Sequence, residues 1–176
     1  MIITINPKEM VPDDSWQFFR KVRAIIENED GSVAISTEGG KCIFPGGKCD
    51  KDEDELIAIK RELYEELGIE FNDSNLHKVL ELHTVYDDFF DFRSNSIKPR
   101  VTVTTYYCGK TLFDINEKNI NLTDGEVAQG FKSLFVDRKT LLNMLMDDHS
   151  QYQNGKFFDE ENRVIVEHVL KKKIGK

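Results

Sequence analysis

Cysteine, tryptophan and proline are scarce in this chain, at three, one and four of 176 residues. Cys42, Cys49 and Cys108 are odd in number and contain no Cys-x-x-Cys pair, which argues against both a disulfide framework and a thiolate zinc site. The four histidines, His77, His83, His149 and His168, have no ligand spacing and read as surface or packing residues. There is no internal repeat, low-complexity tract or Pro/Ser-rich linker, so one domain over residues 1–176 is expected, large enough to bury a core. No apolar run approaches membrane-spanning length. The amino terminus, MIITINPKEM, has neither a sustained apolar core nor a cleavage pattern, so the expectation is no membrane association and a cytoplasmic location. Positive charge is also short: 24 Lys and Arg stand against 32 Asp and Glu, a net charge of −8. Such a chain lacks the broad basic field of a nucleic-acid binder, and an anionic partner must be met locally.

The acids that are present are concentrated. From Gly47 to Ile69 the chain reads GKCDKDEDELIAIKRELYEELGI, which is loop, helix, loop. The acids from Asp50 to Glu55 suit a helix N-terminus, no Pro or Gly interrupts the interior, and Gly68 supplies a stop. Leu56, Ile59, Leu63 and Leu67 share one helical stripe, with Glu55, Ala58, Glu62, Glu65 and Glu66 on the next. Glu62 and Glu66 lie one turn apart with Glu65 beside them, an arrangement that costs a bare helix a few tenths of a kcal/mol per pair. A hard cation with oxygen ligands removes that conflict. Calcium in an EF-hand loop is excluded: counted from Asp50, the loop needs Gly where Glu55 stands and Glu where Arg61 stands.

Around this segment, Lys21 to Ile26 and Ser32 to Ser36 read as strands joined by an Asn28 to Gly31 turn. Gly39-Gly40 then leads into an extended run at residues 41–45. Leu76 to Tyr86 and Arg100 to Cys108 read as longer strands and Phe131 to Val136 as a shorter one. Asp137 is placed to cap a helix through about Met146, and a last helix is expected from Asp159 towards Lys172. The order predicts an α/β fold, a mixed sheet flanked by helices.

The acidic segment resembles the Nudix box at every fixed position: Gly47, Glu53, Arg61, Glu62, Leu63, Glu65, Glu66, Gly68 and Ile69. The resemblance implies an α/β/α sandwich carrying a loop-helix-loop catalytic motif, and hydrolysis of a nucleoside diphosphate linked to another group, with Mg2+ or Mn2+. It implies Glu62 and Glu66 as principal metal ligands, the Gly46 carbonyl as another, and Glu65 as a further ligand or water-orienting acid. Arg61 and Glu53, in the same catalytic set, would brace loop and helix. Many relatives place the base, or one more ligand, in a loop far beyond the box. Glu126 in Leu122-Thr123-Asp124-Gly125-Glu126 is the candidate; a plain surface turn is the other reading of those residues.

Substrate choice is less legible. Arg23, Arg93 and Arg100 are candidates for phosphate contacts, and Tyr86, Phe89, Phe90, Phe92, Tyr106 and Tyr107 for base stacking, although strands carry aromatics for core reasons too. ADP-ribose-hydrolysing relatives often have a proline about where Val85 stands; dinucleoside-polyphosphate relatives often have a tyrosine near Tyr86. The coenzyme A signature is not recognisable. The expected partner is a small nucleotide: a dinucleoside polyphosphate, ADP-ribose or another nucleotide sugar, or a nucleoside triphosphate. A non-catalytic nucleotide-sensing module is the alternative, but such modules commonly lose box glutamates and none is missing. Cap removal would call for a basic groove, and diphosphate isomerisation for a separate Cys and Glu site. A homodimer is compatible with any of these.

Overall fold

Residues 1–171 are described by a computed structural model. Alternating apolar and polar residues set the strands: β1 (Ile2–Ile5), β2 (Gln17–Asn28), β3 (Val33–Glu38), β4 (Lys41–Ile43), β5 (Leu76–Asp91), β6 (Ser96–Thr111) and β7 (Lys132–Val136). Leu, Glu and Lys-rich stretches set the helices: α1 (Glu55–Leu67), the short α2 (Asp124–Ala128), α3 (Arg138–Met146) and α4 (Gly155–Ile165). Among the described residues the strands form one mixed sheet in the order β1-β5-β6-β2-β3-β4, with β7 also paired to β3. β1 runs parallel to β5 and β2 parallel to β6, and β5 and β6 form a long antiparallel hairpin.

Successive strand residues point to opposite faces. Val22, Ala24 and Ile26 of β2 therefore pack with Ala58, Ile59, Leu63 and Leu67 of α1. Ile25 faces the other way, into a core with Leu80, Leu82 and Tyr106 from the sheet and Leu141, Leu145 and Ile165 from α3 and α4. Helices cover both faces, giving the expected α/β/α sandwich.

Some elements differ from the sequence reading. The MIITIN segment becomes strand β1, in register from Ile2 opposite Glu81 to Ile5 opposite Thr84. The hairpin of β5 and β6 runs on to Asp91 and Ser96, which places Arg100 inside a strand rather than at its start. α4 begins at Gly155, not Asp159, because Asp159 is used inside: it accepts from the His149 backbone N–H at 3.0 Å, and its other oxygen lies 2.6 Å from His149 Nδ1. His149 is thus a buried packing residue that pins the loop entering α4. Lys172, the expected end of the last helix, lies outside the described residues. Asp137 caps α3, accepting from the N–H groups of Lys139 and Thr140. Among the described residues, no helix is long and apolar enough to cross a membrane.

Candidate active site

Helix α1 starts where Asp54 accepts from the N–H groups of Leu56 and Ile57, and stops at Gly68, which adopts a left-handed φ of 68°. Its buried face includes Glu62 and Glu66 beside Ala58, Ile59, Leu63 and Leu67. Two carboxylates on a packing face need a neighbour that accepts them, and the box loop provides one. Residues 45–49 run along β2, with Ala24 N–H donating to Pro45 O at 2.8 Å, Val22 N–H to Gly47 O at 2.9 Å, and Cys49 N–H to Arg20 O at 3.0 Å.

Gly46 sits there at φ 129°, where an added Cβ would run into the Val22 carbonyl oxygen. Its N–H donates to Glu66 Oε2 at 2.9 Å, and its carbonyl accepts from Arg23 Nη1. At Gly47 an added Cβ would stand 2.5 Å from both Glu62 oxygens. The glycine pair therefore lets bare backbone lie against two carboxylates that are only 7% and 3% exposed.

Arg61 organises the outer side. Its Nε and Nη2 donate to the two oxygens of Glu53, each at 3.0 Å, a fork-to-fork pair between helix and loop. Nη1 donates to Glu62 at 2.9 Å and to Glu65 at 3.2 Å, and Nη2 also reaches the Lys48 carbonyl. The hydrogen bonds from Arg61 hold the Glu53 carboxyl below its ordinary range. Burial does the opposite to the box glutamates. It pushes Glu66 well above the usual carboxylate range, against the pull of Arg23 and of the Gly46 N–H, and it raises Glu62 against the pull of Arg61.

Glu62 lies against Gly47 and Glu66 against the Gly46 N–H, so two carboxylates and the Gly46 carbonyl, all hard oxygen donors, belong to one loop-to-helix contact, with Glu65 beside Glu66 on α1. That donor set suits Mg2+ or Mn2+. Burial makes both carboxylates reluctant to ionise in spite of Arg61 and Arg23, and such an ion would favour their charged forms. Among the described residues no three Asp, Glu, His or Cys side chains already form a metal cage. Arg61 holds Glu62 and Glu65, while Glu66 rests on Gly46.

Glu126 opens the short helix α2. Its carboxylate is turned back into a capping box, accepting from Thr123 N–H at 2.6 Å and from Thr123 Oγ1 at 2.8 Å. Its charge still reaches Glu66 and adds to the forces that raise it. The preceding segment is fastened to the end of α1, with Asn116 N–H donating to Leu67 O and Asn121 N–H to Glu65 O, both at 2.9 Å. Glu126 is thus brought within electrostatic range of the box while its carboxylate is engaged elsewhere.

The other expected contacts separate. Arg23 adjoins the box loop through Gly46 and Phe44 O. Arg100 lies farther along the same sheet face, between the rings of Phe19 and Phe89. Tyr86 is largely covered: it is 3% exposed, its ring centroid lies 4.2 Å from that of Phe157 in a tilted pair, and its hydroxyl donates to Glu160 at 3.0 Å. This corrects the base-stacking expectation, because a ring covered by α4 has no free face; Tyr106 and Tyr107 are buried as well. Residues not singled out for the site are Phe19, Lys21 and Lys48. The alternation Phe19, Lys21, Arg23 along β2 was the visible signal for the first two, since it puts two cations on the face that Ile25 continues into the core.

Residues 17–154 match the NUDIX domain family. Over 69 residues the chain is 38% identical to mitochondrial coenzyme A diphosphatase NUDT8 of Mus musculus, a stretch that is 39% of this chain and 32% of that protein. The chain therefore spans about a third of the length of the curated relative it matches. Among solved structures, the MutT protein from Bacillus halodurans superposes with a TM-score of 0.51 at 20% identity, covering 72% of each chain. The NUDIX hydrolase from Nitrosomonas europaea gives a TM-score of 0.51 at 16% identity, covering 73% of this chain and 78% of its own. Those two likenesses concern the fold alone, but the domain match takes in β2, the glycine pair, all of α1 and Glu126, and on it the chain belongs to the Nudix family.

Proposed function

We propose that this protein hydrolyses the pyrophosphate linkage of a small nucleoside diphosphate derivative, using a divalent cation. Members of the family generally use divalent metals. The observation that carries the reading is the pair of buried carboxylates, Glu62 and Glu66, laid against the backbone of Gly46 and Gly47. Held by Glu62, Glu66 and the Gly46 carbonyl, with Glu65 as a further ligand, Mg2+ or Mn2+ would neutralise the bridging phosphate oxygens and ease ionisation of the attacking water. Arg23 stands beside the Gly46 carbonyl, a position from which it offers N–H donors to the same phosphates. Arg61 fixes the loop that carries the glycines through Glu53 and the Lys48 carbonyl. For the proton of the attacking water there are two carboxylate acceptors. Glu65 is on α1; Glu126 becomes available once it leaves Thr123.

The substrate reading rests on size and charge: a local set of cations in a chain of net charge −8 suits a small nucleotide better than an RNA strand. The Tyr86 position no longer favours dinucleoside polyphosphates. The name of the mouse relative, a coenzyme A diphosphatase, adds a compound of the same chemical kind to those to be tried. The test is hydrolysis of diadenosine polyphosphates, ADP-ribose, coenzyme A, nucleoside triphosphates and capped RNA side by side, with and without exhaustive chelation. Cation-dependent release of a nucleoside monophosphate from one of the small diphosphates is expected. Activity that survives chelation would reject the cation, and a tenfold preference for capped RNA would reject the substrate class.

A further inference from the structure

Arg100 is held in an unusual way for a strand residue. Its guanidinium centre lies 4.3 Å from the Phe19 ring centroid and 4.0 Å from that of Phe89, so the planar cation is clamped between two aromatic rings. Nη2 donates to Gln17 Oε1 at 3.3 Å, but the buried Nε–H has no hydrogen-bond partner among the described residues. The carboxylate whose charge reaches it, Asp91, is already engaged by Ser94 Oγ at 2.8 Å, by the Arg93 N–H at 3.2 Å and by Gln17 Nε2 at 3.3 Å. A guanidinium with a fixed plane and an unpaired inner donor lacks an acceptor.

Its surroundings indicate which kind. Lys48, next to the glycine pair, sits 4.6 Å over the Phe19 ring. Lys21 and Arg23 follow Phe19 on the same face of β2. Four cations thus line the way from the Gly46 carbonyl to Arg100, about 13 Å along β2 for the four residues from Arg23 to Phe19. Loss of water contact, with Arg23 and Arg100 adding repulsion, brings Lys21 down to about 8, while Glu161 and Glu38 are the carboxylates that oppose this. The cations repel one another and are only partly balanced, in a protein that is otherwise strongly acidic. Resting on the reading of the carboxylate site as a diphosphate hydrolase, we propose that Arg100 is a specificity residue that takes a second phosphate group of the substrate, outside the linkage being cleaved.

That phosphate has two chemical sources, a phosphomonoester on the ribose or the remaining members of a polyphosphate chain. Two matched pairs separate them: NADPH against NADH, and diadenosine pentaphosphate against diadenosine diphosphate. In the wild-type protein, kcat/KM is expected to favour the more phosphorylated member of at least one pair by about tenfold. Arg100→Gln should bring that ratio close to one, mainly through KM, and Arg100→Lys should keep part of it. Equal rates on both members of both pairs, or a ratio that survives Arg100→Gln, would overturn the proposal. So would an equal loss on both members, the mark of a merely structural arginine. If none of the four compounds is cleaved, the hydrolase reading fails on these substrates, and binding decides the subsite separately. By calorimetry in EDTA, adenosine 2′,5′-bisphosphate or ATP should bind tighter than AMP, with the difference lost in Arg100→Gln and reduced in Arg100→Lys, read in whichever melts like wild type. Equal binding of all three by the wild-type protein overturns it.

Discussion

Replacing Gly47 by alanine adds one methyl group at the point where the box loop meets Glu62. The new Cβ would stand 2.5 Å from both carboxylate oxygens, whereas ordinary contact begins at 3.4 Å, so Glu62 must retreat by about 0.9 Å. If Glu62 holds the cation as proposed, a displacement near 1 Å costs roughly 10²-fold in rate. The fold should notice far less. Gly47 does not hold a positive φ, and the obstructing atoms are the end of a side chain rather than backbone. Alanine also restricts the unfolded chain, a gain of about 0.4–1 kcal/mol that offsets the strain. Gly46→Ala, one residue earlier, is expected to behave oppositely. It needs a left-handed φ of 129° and drives a methyl into the Val22 carbonyl. At about 1–2 kcal/mol for the backbone and about 1–3 for overpacking, the loss is about 2–5 kcal/mol, or about 4–20 °C in Tm. The assay is kcat against Mg2+ concentration for each variant, with thermal melts by circular dichroism. The reasoning fails if Gly47→Ala turns over within about threefold of wild type at the same Mg2+ midpoint, or if it melts as low as Gly46→Ala.

Other outcomes follow from the same geometry. Burial raises Glu66 above its ordinary 4.5, so between that value and its folded pKa the native state holds a proton that the unfolded state releases. Its contribution is fully present below pH 4.5 and is lost as pH rises through the window. In metal-free protein Glu66→Gln should therefore melt above wild type by a margin that widens from pH 5 to pH 8, while kcat with Mg2+ falls by ~10² or more; a constant margin would remove the burial argument. Tyr86→Phe deletes the hydroxyl that meets Glu160, and should cost about 1–3 kcal/mol in urea unfolding while leaving kcat/KM alone. A change in KM without a change in stability would restore Tyr86 as a substrate contact. Glu126→Gln keeps an acceptor for Thr123, so stability should hold, and a 10²-fold or larger loss of kcat is expected of a general base; near-normal turnover would leave Glu126 as a cap alone.

What the sequence conveyed depended on how local each feature was. The glycines, the capping Asp54, the apolar stripe of α1 and the Arg61 to Glu53 spacing all lie within one short segment, where helical period alone fixes which residues can meet. Gly46 beside Arg23 was not readable in this way. It depends on residues 45–49 lying along β2, a tertiary pairing with no local code. The Phe19, Arg100 and Phe89 stack is further removed, since it exists only because β2 and β6 pair in parallel, with Gln17 opposite Arg100. Tyr86 shows the same limit. Its strand was legible, and the alternation Leu80, Leu82, Thr84, Tyr86 gives its face, but the cover that Phe157 and Glu160 of α4 lay over it was not, because that contact is tertiary.

The parallel pairing of β2 with β6 also bears on how the protein is made. Gln17 and Arg100 are 83 positions apart, so at about 5–20 residues per second β2 waits roughly 4–17 s on the ribosome for its partner. All of the box has left the synthesis site by then, yet β2, the strand along which its glycine loop lies, still lacks the neighbour on one side. During that interval the backbone N–H and C=O groups along one side of β2 form an unpaired edge open to other nascent chains. Synonymous codons that slow translation between residues 67 and 100 should lower the soluble yield, and a chaperone that shields extended segments should restore it, without any change to the folded protein.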